Sequence, residues 1–290
     1  MIESKALSYR IIDVAIYGTL FILALVTAIP FLYIIAGSFA SPSEYLNKTL
    51  LLFPTQLSFD AYTFIFSSST FVSSLLVSIY VTVVGTVVNL FFTVTMAYPL
   101  ARRDLRHRRV IMLGVLFTML FNGGIIPLFL VIKGLGLINS LWSLMLPVAI
   151  SPFYLIILKN FFQQLPDGIE ESAKIDGCNE LQILFRIVLP LSLPAIATFS
   201  LFYAVMHWNT FFHAIMFIND SGKWPIQVLL RQVVIISSGV FESTGGSDVV
   251  PPGQTVKMAV IVISTVPIML VYPFLQKHFA QGVLLGSVKG

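Results

Sequence analysis

Six stretches of this chain stay apolar for long enough to cross a bilayer. A hydrocarbon core about 30 Å thick needs roughly 20 apolar residues at about 1.5 Å of rise each. Runs near residues 11–36, 72–100, 110–132, 140–162, 191–217 and 257–275 reach that length. Lipid offers backbone amides no water to bond, so runs of this kind are committed to helix. The reading is an all-α, polytopic membrane protein with six transmembrane helices, forming a single transmembrane domain over residues 1–290. Composition agrees, with 57% hydrophobic residues, 10% charged and a mean hydropathy of +0.92, far from a soluble domain. Lys5 and Arg10 precede the first run, which is longer than the roughly 7–15 residues of a signal-peptide core. It is read as a retained span, although Ser38-Phe39-Ala40 loosely resembles a cleavage site.

The basic residues set the orientation, because loops rich in Lys and Arg stay cytoplasmic. The segment RRDLRHRR at 102–109 decides it. With that loop inside, twelve of the 17 Lys and Arg fall on the cytoplasmic side and five (Lys48, Lys133, Lys223, Arg231 and Lys257) outside. Both termini are then cytoplasmic, and the outer loops are 37–71, 133–140 and about 218–256. The net charge of +4 does not indicate nucleic acid, since the cations sit beside apolar runs and form no solvated face.

Between the fourth and fifth runs lies EESAKIDGCNELQILFRIVLPLSLP, residues 170–194, dense in charge. Asp167 after Pro166, with Glu170 three residues on, has capping-box spacing and predicts a helix over 168–175. Gly177 can take the left-handed conformation that stops it. Asn179 with Gln182 is a second cap-like pair, opening a helix over 180–189 whose apolar face is Leu181, Leu184, Phe185 and Val188. Pro190 and Pro194 then open the fifth run. The result is a cytoplasmic two-helix elbow over 166–190. Two readings stay open on these grounds: a solvated connector, or a knob that seats in a groove of a cytoplasmic partner.

The residue order bears on that choice. Glu171-Ser172-Ala173, then Gly177, then Ile187-Val188-Leu189-Pro190 resembles the EAA signature of ATP-binding cassette importer permeases, with Ser172 for the second alanine. Residues 122–166 and 202–220 are similar to carbohydrate-importer permeases of the maltose-transporter class, in the subgroup that takes up polysaccharide-derived oligosaccharides. The tail GVLLGSVKG, 282–290, looks like the ending of the second maltose-type permease subunit. The resemblance implies a type I importer permease fold in a bacterial cell membrane, working by alternating access. It implies a second homologous permease chain, two ATPase subunits that carry ATP and Mg, an extracytoplasmic sugar-binding protein and a carbohydrate substrate. Glu170, Glu171, Ser172, Ala173, Asp176, Gly177 and Pro190 would then make the ATPase-coupling elbow, with Ser172 and Ala173 small enough for close approach. Val288, Lys289 and Gly290 would reach the ATPase interface, and the outer loop near 240–253 would probe the binding protein's sugar cleft.

Polar residues inside the runs are costly in hydrocarbon and mark bundle interiors or water-lined paths. Asn89, Asn122, His207 and Asn209 are the candidates. Asn209 and His213, four apart, are expected on one face of the fifth helix, where Trp208 could stack on a sugar ring. The alternative, favoured for Asn89, is hydrogen bonding between helices without a ligand. Pro127, Pro147, Pro152 and Pro267, with Gly123 and Gly124, are expected to kink or break spans three, four and six. The chain has no G-x-x-x-x-G-K-[ST] phosphate cradle, so ATP is expected to be hydrolysed on another chain. His107, His207, His213 and His278 lack metal-ligand spacing, and Cys178 is the sole cysteine. No nucleophile and base are paired, which speaks against an enzyme. The rival reading, an ion-coupled secondary carrier or channel, needs carboxylates in the spans, and only Asp13 lies near one.

Overall fold

The computed structural model describes residues 2–48, 51–237 and 253–287. Helix α1 (Ile2–Ser38) is followed by the short α2 (Pro42–Asn47) and α3 (Asp60–Ser67), then by α4 (Ser69–Ala101). Next come α5 (Arg108–Leu120), α6 (Ile125–Gly134), α7 (Trp142–Met145) with a 3-10 turn at Leu146–Val148, and α8 (Pro152–Phe162). The elbow holds α9 (Asp167–Ile175), α10 (Glu180–Ile183), a π turn at Leu184–Val188 and α11 (Leu189–Leu191). The chain continues through α12 (Leu193–Trp208), α13 (Phe212–Phe217), α14 (Ile226–Ser237) and α15 (Gln254–Ser287).

Among the described residues, three helical stretches are long and apolar enough to cross a membrane unbroken: Ile12–Ser38, Ser69–Ala101 and Gln254–Val271. Three bent pairs bring the number to six if each counts as one span. The expected third span, 110–132, is two helices meeting at 116°. Asn122-Gly123-Gly124 makes the turn, with Gly124 at φ +86, where a side chain would be strained. The fourth is bent by 53° just ahead of Pro152, whose missing N–H cannot continue a helix. The fifth was expected over 191–217 but stops at Trp208. Span six is not broken, since α15 runs through Pro267 and Pro273 as one helix.

The chain forms two compact units. One comprises Met1–Ser69 and Leu230–Thr265. Its α1 is exposed along almost all of 12–35, an apolar surface suited to lipid, and among the described residues it packs through its end, where Ala36, Ala40 and Leu51 make a small core. Gly37 there lies against Met258, leaving no room for a side chain. The loop after α1 is tied by Glu44, whose Oε1 accepts from Lys48 Nζ (2.7 Å), Thr55 N (2.7 Å) and Thr55 Oγ1 (2.6 Å). The Lys48 hydrogen bond, then those from Thr55, hold the Glu44 carboxyl at about 2 against an ordinary 4.5. A depressed carboxyl contributes stability that is complete above its unfolded value and is lost as pH falls through the folded one. Protection of the Thr55 amide in hydrogen exchange is therefore expected to hold from neutral pH to about 4.5 and fall away towards 2, after correction for intrinsic rates. Glu44→Gln is expected to remove that pH dependence and weaken protection at neutrality.

The second unit comprises Thr70–Leu229 and Val266–Gly290 and is built along α4. The buried stripe of α4 runs Phe71, Ser74, Ser78, Val81, Gly85, Asn89, Thr93, at helical spacing, and is largely small or polar. Its opposite face, with Leu76, Val83, Val87 and Phe91, is exposed and apolar. This inverts the soluble pattern and suits a helix with lipid on one side. Near the start of α4, Val81 joins a core with Ile132, Met145, Phe217 and Val228. Near its end, Val94, Ala97 and Leu100 join Leu155, Leu158, Phe162, Ala173, Ile183, Val188 and Phe199. The polar residues 85–93 lie between these two cores.

Candidate functional site

The elbow belongs to the second core. Helix α9 starts at Asp167 with Pro166 extended in the cap position and no side-chain cap. Glu170, expected to close a capping box with Asp167, pairs with Arg102 on the loop after α4. At the other end, Gly177 takes φ +82, its N–H donates to Lys174 C=O (3.0 Å), and Cys178 N–H donates to Ala173 C=O (2.9 Å). That pair of bonds is the Schellman closure that glycine permits. The second cap forms as expected: Asn179 Oδ1 accepts from Gln182 N–H (2.8 Å) and Gln182 Oε1 from Asn179 N–H (2.9 Å).

The second elbow helix departs from expectation. A π turn at Leu184–Val188 adds a residue to the turn ahead of Pro190, which can donate no bond back into the helix. The buried face shifts accordingly. Ile183, Leu184 and Val188 are buried, whereas Leu181 and Phe185 are 65% and 51% exposed. After Ser192 the chain bends by 85° into α12.

Helix α9 has two unlike faces. Ala173 is buried in the core, while Glu170 and Lys174 point into an ion network closed by Arg102 at the end of α4. The Arg102 guanidinium pairs with Glu170 through one nitrogen. Its other nitrogen bonds Glu180 Oε2 (2.6 Å) and the Tyr98 hydroxyl. Tyr98 OH also donates to Glu180 Oε2 (2.9 Å), and Lys174 Nζ pairs with Glu180 Oε1 (2.9 Å). Burial draws the Glu180 carboxyl upward, but the Lys174 and Tyr98 hydrogen bonds and the charges of Arg102 and Lys174 outweigh it and set it below the ordinary value. The outer face carries Glu171, Ser172, Ile175, Asp176 and Gly177, all exposed, with Ile175 at 87%. Ser172 Oγ donates to Gly168 C=O (2.8 Å), so the hydroxyl is turned back onto its own helix. Pro190 is also exposed.

Of the residues proposed for docking, Glu171, Ser172, Asp176, Gly177 and Pro190 thus lie on open surface, whereas Glu170 and Ala173 face inward. Arg102 and Tyr98 are not legible as site residues in the sequence, where Arg102 is one charge of an orienting loop. Ile175 is not singled out there either; an exposed branched apolar residue on a charged helix is the available signal. Val288, Lys289 and Gly290, and the loop at 240–253 apart from Gly253, lie outside the described residues.

The residues proposed for a sugar path are otherwise engaged. Asn89 Nδ2 donates to Val148 C=O (2.6 Å), which leaves Oδ1 to accept from His207 Nε2 (3.1 Å). One helical turn away, Thr93 Oγ1 and Tyr203 OH share a 2.7 Å bond, and Tyr203 OH accepts from Ser151 N–H (3.1 Å). Val148 C=O and Ser151 N–H flank the break between α7 and α8. Side chains of α4 and α12 thus satisfy backbone groups that the broken span exposes, the condition for non-helical backbone at membrane depth. Gly85 lets the helices close on this layer, since a Cβ there would fall 2.6–2.7 Å from the His207 ring. Trp208 is buried and lines an apolar groove with Val83, Val205 and Pro267. Asn209 and His213 do not share a helix face. Asn209 ends α12 with its amide on Val205 C=O (2.8 Å), and His213, in α13, stacks on Phe217 at 5.5 Å. Asn122 is exposed at the turn after α5, with its Oδ1 accepting from Gly124 N–H (2.9 Å).

An all-helical bundle with broken spans and a two-helix elbow between the fourth and fifth defines a membrane permease. The chain belongs to the family of binding-protein-dependent transport system inner membrane components, which matches residues 7–285. It is a multi-pass membrane protein and a transport component, not an enzyme. Among curated proteins it is 60% identical over 283 residues to the polygalacturonan/rhamnogalacturonan transport system permease protein YtcP of Bacillus subtilis (strain 168), covering 97% of this chain and 99% of that one. It is 59% identical to protein LplC of the same organism, over 91% of this chain and 90% of that one. Among solved structures it superposes with a TM-score of 0.85, at 34% identity, on a chain of a bacterial ABC transporter involved in the import of the acidic polysaccharide alginate, covering 94% of this chain and 98% of that one. Its fold is the type I importer permease fold.

Proposed function

We propose that this chain is one half of the pore of an ATP-driven importer in a bacterial cell membrane, taking up oligosaccharides from an acidic polysaccharide such as a polygalacturonan. The near-complete alignment to YtcP at 60% identity carries this reading. In it, the second half of the pore is a homologous permease, and sugar arrives on an extracytoplasmic binding protein. Both termini and the elbow face the cytoplasm, where two ATPase subunits hold ATP and Mg. The outer face of α9, with Glu171, Ile175, Asp176 and Gly177, seats in the ATPase. ATP acts through its different affinity for the two ends of the cycle, and the elbow conveys that difference to the spans. The buried hydrogen bonds of Asn89 and His207 give those residues a structural task, so sugar recognition is not assigned to them.

The test is uptake by proteoliposomes holding the complex that copurifies with the tagged chain from its own membranes, together with its binding protein. Labelled oligogalacturonide is expected to accumulate only with internal ATP and to stop with vanadate. Accumulation driven by a proton or sodium gradient without ATP sinks this reading in favour of a secondary carrier.

A further inference from the structure

We infer that Arg102 is a positioning residue of the transport cycle: its guanidinium fastens both elbow helices to the end of α4, so that movement of the elbow is delivered to the second span. The inference rests on the reading that the elbow receives the ATPase. Chain connectivity joins the elbow to α8 on one side and α12 on the other, and α4 is joined to it by contact alone. The contact is built for rigidity. Arg102 reaches Glu170 on α9 with one nitrogen and Glu180 on α10 with the other, and its plane lies over the Tyr98 ring at 4.9 Å. The side chains of Arg102 and Glu170 are only 19% and 20% exposed, so the pair is shielded from most of the screening that weakens surface ion pairs. Lys174 bonds the second oxygen of Glu180, so two cations and two carboxylates balance. Gln163 Nε2, at the end of α8, donates to Ala101 C=O (3.0 Å), drawing a further strand of the elbow's support to the same helix end.

What α4 does with such a movement follows from its other contacts. It is unbroken from Ser69 to Ala101, and Asn89 and Thr93 along it hold the break in span four and the polar face of α12. A displacement at Arg102 therefore reaches both through one continuous helix. Arginine suits the post because a planar fork binds two carboxylates and a phenol at once, whereas lysine supplies a point charge.

The test uses the whole complex, copurified on the tagged chain, with hydrogen exchange read by mass spectrometry with and without ATP and vanadate. In the wild type, nucleotide is expected to change exchange both in the elbow, 167–191, and in the last turns of α4, 94–101. In Arg102→Gln the elbow change is expected to persist while the α4 change falls at least fivefold, and ATP hydrolysis continues with oligogalacturonide uptake down at least tenfold. An α4 response in Arg102→Gln equal to wild type overturns the inference. If Arg102→Gln does not assemble, Arg102→Lys is the variant to read: a reduced α4 response supports the inference and an unchanged one overturns it. An elbow that ignores nucleotide in the wild type refutes instead the reading of the elbow as the ATPase seat. A purely structural role for Arg102 predicts lowered complex yield with the α4 response intact in what assembles, and that result also overturns the inference.

Discussion

Ile175→Lys is expected to reduce uptake about a hundredfold while the chain folds and inserts as before. Ile175 is 87% exposed at the last position of α9 and contributes nothing to its own core. Exposed substitutions of this kind change stability by about 0.5 kcal/mol or less. A cation at a helix C-terminus also complements the dipole, so the helix is not weakened by the new charge. In the proposed assembly the same side chain is buried against the ATPase, where an isoleucine contributes about 1.5–3 kcal/mol and an unpaired ammonium is strongly unfavourable. The loss of about 3 kcal/mol corresponds to roughly a hundredfold in affinity. The measurement is the amount of ATPase that copurifies with the tagged variant, alongside the unfolding midpoint of the chain in detergent. Ile175→Leu, which keeps the apolar volume, is expected to behave as wild type. Unchanged ATPase recovery with Ile175→Lys returns the elbow to a solvated connector.

The second large effect is expected inside the membrane. Asn89→Leu keeps the side chain's size but strands Val148 C=O and takes from His207 Nε2 its side-chain partner. Stranded polar groups of this kind cost about 1–3 kcal/mol each in proteins, and interhelical bonds measured in membranes sit towards the low end. A fall of about 2–4 kcal/mol lowers the midpoint by roughly 3–7 °C for a chain of this size. Adding His207→Leu is expected to recover part of the loss, because removing both partners leaves fewer orphans than removing one. The two readings of His207 separate here. A sugar contact raises KM and leaves the midpoint alone; a structural bond lowers the midpoint and leaves the KM of surviving transporters alone.

Much of this architecture could be read from residue order, for identifiable reasons. Apolar length fixes which segments enter lipid, and glycine and proline fix where helices stop, so α1, α4, the closure at Gly177 and the breaks at 121–124 and before Pro152 were all legible. The Asn179 cap was legible because it is local. What was not legible depended on contacts distant in sequence. Glu170, read locally as half of a cap, pairs with an arginine at the end of another helix, and a charge-assisted contact of that kind leaves no mark in the neighbouring sequence. The π turn moved the buried face because a fixed period of 3.6 cannot foresee an inserted residue. Asn209 and His213 were placed on one face by assuming that an apolar run is one helix, and the chain leaves the helix between them.

The length of the first helix carries a consequence for the membrane around it. The 27-residue stretch from Ile12 to Ser38 rises about 40 Å, against a hydrocarbon core of about 30 Å. Nearly all of that length is exposed, and among the described residues of its own unit the buried packing is at its end, so no described side chain there fixes its inclination. The surplus of about 10 Å is taken up by tilt or by local thickening of the bilayer, each at a modest cost per ångström. Acyl-chain length is thus a variable to which α1 responds, and thicker bilayers match it better.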